Sequence, residues 1–255
     1  MLRTVVLLMG ISMIAPAQWV NLPGKGIPRG KDGKFDMNAP APHKANGQAD
    51  LEGIWLVDTP RWLQDLTNGL KPGDVVMQAW AEKITAERKA GLHASEESDA
   101  NCLPQGVPKI NATPVPFKIV QQPELVAILY EAFGQYRQIF LDGRKLQDDP
   151  NPTWLGYSKG RWDGDTLVVE TTGFNGKAWL DQAGHPATDA LHVTERYHRR
   201  DFGHLDIGVT IEDPKVYAKP WSTTETMHLL PDTEILEFVC NENEKDVRHL
   251  KAKPQ

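Results

Sequence analysis

From Phe117 onward the chain is cut into short runs rich in β-branched and aromatic residues, each closed by a turn signal, and this punctuation leaves room for little but an all-β fold. The runs lie at about 117–122, 125–132, 136–142, 153–162, 166–172, 191–200, 204–212, 221–230 and 235–240. Between them stand Pro123-Glu124, Gly134-Gln135, Asp163-Gly164, Phe202-Gly203 and Pro231-Asp232. Asp-Gly between two strands is a strong hairpin signal, because a type I′ turn needs positive φ at both central residues. Tight hairpins in succession make an antiparallel meander. With an earlier run at 51–57 there are about ten strands, enough to curl closed and so remove the unpaired edges that invite aggregation. The expected fold is mainly β, an antiparallel meander of about ten strands closed as a barrel, with a two-sheet β-sandwich as the alternative.

The N-terminus has the composition of an export signal over residues 1–17: Met1-Leu2-Arg3, an apolar run from Thr4 to Ala15, and the small-residue exit Ala15-Pro16-Ala17. The run is shorter than the roughly 20 residues that cross a bilayer, so no membrane span is expected and the mature chain is placed in the periplasm or outside the cell. In such a compartment the two cysteines, Cys102 and Cys240, point to a disulfide, with two buried thiols as the alternative. The bridge would close a loop of roughly 140 residues, for which the chain-entropy model gives about 4 to 5 kcal/mol. The formal net charge is −6, and Arg196, Arg199 and Arg200 stand beside Glu195 and Asp201, so no basic stripe suits nucleic acid.

Residues 18–49 are rich in Gly, Pro, Lys and Asn and read as a flexible tether, which leaves one domain over 50–255. A helical insertion is expected at about 59–92. Thr59-Pro60 can start a short helix carrying Trp62, Leu63 and Leu66, and Asn68-Gly69 can stop it. A longer helix from about Asp74 to Leu92 would place Val76, Trp80 and Ile84 on one stripe. Just before this insertion, Gly53-x-Trp55 resembles the opening of lipocalin-like (calycin) barrels. That resemblance implies a lipocalin-like barrel with the tryptophan closing one end beneath the first strand.

Strand alternation assigns the inward faces. Leu205, Ile207, Val209 and Ile211 share one face; Leu191, Val193 and Tyr197 share another, with Glu195 among them. A carboxylate so placed is costly unless paired. The strand from Tyr136 carries Arg137 on the face of Ile139 and Leu141, so alternation suggests an Arg137–Glu195 pair across the interior, the alternative being that Arg137 snorkels out at a strand end. A pocket would be floored by Tyr136, Trp162 and Tyr197 with Arg137 and Glu195 as polar anchors. Alternation points Tyr136 and Arg137 to opposite faces, so both serve only where one lies at the strand end.

Chemistry-bearing side chains also gather at Asp181, His185 and His192, in the loop after the 166–172 run and at the start of the next strand. Gly184 and Pro186 prevent a helix from bringing Asp181 and His185 onto one face. Three readings stand: a solvated loop, an acid/base cluster, and a metal site, of which the metal site is the least favoured. His192 and His198 lie about 20 Å apart along one strand and cannot share an ion. Ser158 and Ser222 lack a Gly-x-Ser-x-Gly elbow and no Gly-rich phosphate loop opens a helix, so no cofactor is expected.

Trp162-Asp163-Gly164-Asp165-Thr166-Leu167-Val168-Val169, Gly173-Phe174-Asn175, Trp179-Leu180-Asp181, Gly184-His185-Pro186, Leu191-His192-Val193, Glu195-Arg196 and Asp213-Pro214 together resemble the hallmark run of an uncharacterised family of exported bacterial β-rich proteins. Cys102-Leu103-Pro104, Tyr136-Arg137, Asp142-Gly143-Arg144 and Cys240-Asn241-Glu242-Asn243 resemble other parts of it. The resemblance implies a single domain and a Cys102–Cys240 pair and brings no activity. The leading expectation is therefore an exported, lipocalin-like protein that binds a small, partly apolar molecule. The first alternative is a cofactor-independent lyase, isomerase or hydratase, in which His185 or His192 moves a proton, Asp181 orients the imidazole and Arg137 steadies negative charge. The second is an envelope module that docks another protein. Nothing in the residues sets an oligomeric state.

Overall fold

The computed structural model describes residues 26–146, 151–240 and 242, so the expected export signal at 1–17 and the first part of the expected tether lie outside the described residues. Among those described, nine strands close into one barrel in chain order: β1 Gly53–Val57, β2 Phe117–Gln122, β3 Leu125–Tyr130, β4 Tyr136–Phe140, β5 Tyr157–Asp163, β6 Thr166–Thr172, β7 His192–Arg199, β8 His204–Glu212 and β9 Trp221–Leu229. Strands that run alternately up and down close with every neighbour antiparallel only when their number is even. Nine leaves one mismatch, and it falls between β4 and β5, which run parallel and share just Ile139↔Ser158 and Phe140↔Lys159. The fully antiparallel meander of ten is corrected to this extent. Gly160 lets β5 approach there, since a Cβ on it would lie 2.8 Å from Leu141 Cδ2 and 2.9 Å from Ile139 Cγ2.

The expected tenth strand, 235–240, is not a strand. Once β9 pairs with β1 the barrel has no edge to offer, so an alternating segment that follows it has nothing to pair with. It runs instead as a strap. Lys118 Nζ bonds Glu234 at 2.7 Å, Leu236 N donates to Glu131 Oε2 at 3.0 Å, Phe238 meets Phe133 edge-on at 5.6 Å between centroids, and Cys240 closes the disulfide to Cys102. β5 also begins later than its run suggests, because Gly156 at φ +65° turns the chain just ahead of it.

Inward side chains fill the barrel from Phe117, Ile119, Ile128, Ile139, Leu167, Val169, Val193, Ile207, Val209 and Met227, all buried. One end, the base, is closed by Trp55, fully buried, whose indole N–H donates to Leu51 O at 3.0 Å. The Arg199 guanidinium lies 5.0 Å from the Trp55 ring and donates to Asp50 O at 2.6 Å. Burial lowers the Arg199 pKa to about 10, still high enough to keep its charge at neutral pH. Residues 26–49, too polar to make a core of their own, are organised by this end: they form the bridges Arg29↔Phe35 and His43↔Ala49 and take backbone bonds from Phe202 N to Ala39 O and Gly203 N to Met37 O, both 2.8 Å.

The helical insertion contains α1 Arg61–Gln64 and α2 Ala79–Lys89. The second buries Ala81 and Thr85 and leaves Trp80 exposed, so the stripe of Val76, Trp80 and Ile84 is not the packed one. Backbone pairing sets its rotation: Gln78 N donates to Val216 O at 2.7 Å and Ala218 N to Val76 O at 2.8 Å, while the Trp80 indole caps Lys215 O. No helix among the described residues is long and apolar enough to cross a membrane.

The disulfide spans 138 residues, so replacing both Cys102 and Cys240 by Ser should lower stability by about 4 to 5 kcal/mol at most in urea unfolding. Amide exchange should then rise first over 231–239 while β7 and β8 stay protected; equal protection of the strap in both proteins would contradict its being held by the bridge.

Candidate functional site

The centre of the barrel is a polar network built on Arg137, which alternation turns inward on β4. Its Nε donates to Ser158 Oγ at 2.9 Å, Nη1 to Glu195 Oε1 at 3.1 Å and Tyr197 OH at 3.4 Å, and Nη2 to Thr171 Oγ1 at 2.7 Å and to Glu195 Oε2. A guanidinium has five N–H groups, and all are used. Glu195 Oε1 also accepts from Asn111 Nδ2 and from Tyr197 OH, each at 2.9 Å, and Asn111 Oδ1 accepts from Tyr130 OH at 2.8 Å. The pair suggested by strand alternation is thus made. Burial opposes the charge on Arg137, but the Glu195 carboxylate outweighs it and holds the guanidinium pKa above its usual value. Burial first, and Glu195 after it, push the Tyr197 phenol up, so it stays a neutral donor.

Glu225 lies inside the same barrel on β9, fully buried, and neither carboxyl oxygen has a hydrogen-bond partner in the structure. Burial, and then the nearby Glu195, raise its pKa well above the carboxylate range, so it holds its proton at neutral pH. The rule that found Glu195 applies here too: Trp221, Thr223, Glu225 and Met227 alternate onto one face. Asn111 had no comparable signal, since it reaches Glu195 from a polar loop that crosses the opposite end of the barrel, the mouth.

At the mouth, Asp181 and His185 do meet. Asp181 Oδ2 accepts from His185 Nδ1 at 2.6 Å and Leu66 N at 2.8 Å, and Oδ1 accepts from His185 N at 3.2 Å. Gln182 N donates to Leu63 O at 2.8 Å. The carboxylate therefore fastens the β6–β7 loop to the end of α1. His192 stays apart: it faces outward on β7, half-buried, with Glu212 at 4.0 Å, and makes no hydrogen bond to Asp181 or His185. Alternation forces this, because Val193 and Glu195 take the inner face. Ligand atoms of Asp65, Asp181 and His185 lie within 4.8 Å of one another, a carboxylate–imidazole set of the kind that holds divalent cations. An ion there would displace present contacts, since Asp65 already accepts from Thr67 N, Thr67 Oγ1 and Lys89 Nζ.

The parallel seam opens toward the mouth into a cavity of about 350 Å³ lined by Tyr136, Gln138, Trp154, Leu155 and Tyr157 and reaching Arg137 and Ser158. Tyr136, 67% exposed, is on the outer face and not on a barrel floor. Tyr136 and Arg137 line the same cavity although they point to opposite faces, because the cavity sits in the wall itself, where two residue pairs hold β4 to β5. Glu195 and Tyr197 lie deeper in the barrel. Trp162 is half-buried near the β5–β6 turn, its indole N–H without a partner. No protein-family model and no curated protein sequence matches the chain.

Two variants test the interior. Arg137→Ala leaves Glu195 buried without its counter-charge and should cost about 3–5 kcal/mol in chemical unfolding. For Glu225, whose folded pKa exceeds its unfolded one, the folded state binds more protons above about pH 4.5, so its contribution to stability is lost as pH rises toward the folded pKa. Glu225→Gln should remove that loss: its stability relative to wild type should grow between about pH 5 and 8, and parallel pH curves would contradict the assignment.

Proposed function

We propose that this is an exported barrel of lipocalin-like type that binds a small, partly apolar molecule in the cavity of the β4–β5 seam. The carrying observation is the cavity, whose walls are the rings of Tyr136, Trp154 and Tyr157 together with Leu155 and Pro104. Its volume of about 350 Å³ is at the lower end of the range for ligand pockets. Polar contacts are available from Gln135 and Gln138 and from the main chain of Tyr136 to Gln138, which has no β5 partner. Arg137 has no donor left, so it fixes the inner side of the cavity and does not grip an anion. A neutral or weakly polar ligand with a flat apolar part fits these walls, since aromatic side chains favour stacked or edge-on ring contacts. Export is supported by the composition of residues 1–17 and by a disulfide suited to an oxidising compartment.

The acid/base enzyme is the weaker reading, because His192 does not join Asp181 and His185 and neither of those reaches Glu195. Native mass spectrometry of the mature protein, purified gently from the compartment it is exported to, should show a retained small molecule. Trp154→Ala and Tyr136→Ala should each lower the retained fraction at least about tenfold, the scale of losing one ring contact with its buried area. An empty wild-type spectrum, or full retention in both variants, would overturn the reading.

A further inference from the structure

The seam holds a second cavity, of about 210 Å³, lined by Phe140, Gly143, Arg144, Lys159, Arg161 and Val168. β4 ends at Phe140 while β5 runs on to Asp163, so beyond the Phe140↔Lys159 pair β5 has no strand neighbour on that side. Phe140 also stands in the wall of the first cavity, so the two lie end to end along the seam with one ring between them. The outward side chains of β5 run Tyr157, Lys159, Arg161 from the first cavity to the second, a span of about 13 Å at roughly 3.3 Å per residue.

The two ends differ in charge. In the first cavity the one charged residue of the lining, Arg137, has its donors turned inward and used. Three cations line the second. Arg144 stacks on Phe140, 3.6 Å from the ring centroid, and its Nε donates to both oxygens of Asp142 at 2.9 Å. Lys159 Nζ lies 2.9 Å from Glu170 Oε2. The exposed Arg161 guanidinium has neither a hydrogen bond nor an ion pair among the described residues. Its cross-strand partner Val168 is buried although it faces outward, and forms an apolar floor with Phe140.

We propose that the ligand of the seam is an amphipathic anion: a flat apolar group in the first cavity, an unbranched chain across Phe140 and Val168, and a carboxylate held by Arg161 in the second. This rests on the seam cavity being the ligand site and names the class of molecule it takes. The part inside the first cavity is neutral, as its walls require, and the charge is carried about 13 Å away, at the other end of the groove. A guanidinium fork matches a carboxylate with two parallel bonds, and three cations against two carboxylates leave one positive charge for the ligand to balance. An ammonium head would meet like charge there.

Isothermal titration calorimetry of the mature protein at low salt with 8-phenyloctanoate, 8-phenyl-1-octanol and 8-phenyloctylamine tests this. Their extended length is close to the span, and they differ only in the head group. The acid should bind at least about threefold more tightly than the alcohol, the scale of one exposed ion pair, and the amine no more tightly than the alcohol. Added salt should shrink the acid's advantage. In Arg161→Gln that advantage should vanish; Arg200→Gln, which removes an equal charge from the pair with Asp206, should keep it. Trp154→Ala should weaken acid and alcohol alike. Trp154-dependent binding without a preference for the acid, or a preference unchanged in Arg161→Gln, would overturn the anionic ligand and leave the seam as the binding site. Acid binding that needs Arg161 and not Trp154, or no binding of any of the three, would overturn both.

Discussion

A guanidinium and a carboxylate closed inside a barrel must find each other, and the Arg137–Glu195 pair is the contact on which the rest of this structure depends. Either group alone would carry a desolvation penalty of several kcal/mol. Together they recruit Ser158 from β5, Thr171 from β6, Tyr197 from β7 and Asn111 from the mouth, and through Asn111 the Tyr130 phenol of β3. The network's geometry matters most at one place. β4 and β5 share two residue pairs, and the Arg137–Ser158 bond adds a side-chain tie next to them, where the ladder stops. The network thus holds shut the wall that the backbone holds least well.

The thin wall follows from topology. An odd number of strands closing in chain order must carry one parallel contact, and a parallel contact needs a long return for the chain between its strands. That return runs from Leu141 to Gly156, and its last residues, Thr153 to Gly156, form one side of the seam cavity. The cavity is therefore a by-product of closure that the aromatic residues Tyr136, Trp154 and Tyr157 have lined. The base, by contrast, is sealed by Trp55, Arg199 and the segment 26–49, and the mouth by the loops of Asn111 and Asp181.

Much of this could be read from residues, because strand alternation is strict. It places Arg137, Glu195 and Tyr197 inside and turns His192 outward, which keeps His192 from joining Asp181 and His185. The same period puts Glu225 on the inward face of β9, where alternation supplies it no charge partner. The disulfide pairing was legible since two cysteines pair in only one way. What local pattern could not give was anything set by closure: the odd strand number, the parallel seam, the fate of 235–240 once no edge remained, and the reach of Asn111. The rotation of α2 escaped for a related reason, as backbone pairing of Gln78 with Val216 overrode its apolar stripe.

If the buried network holds the seam, weakening it should be felt there first. Residue-resolved amide exchange in Glu195→Gln, compared with wild type under native conditions, measures this directly. Protection should fall most at the β4–β5 contact, around Ile139, Phe140, Ser158 and Lys159, while β8 and β9 keep theirs. Loss confined to β7, or an equal loss across all nine strands, would contradict the account.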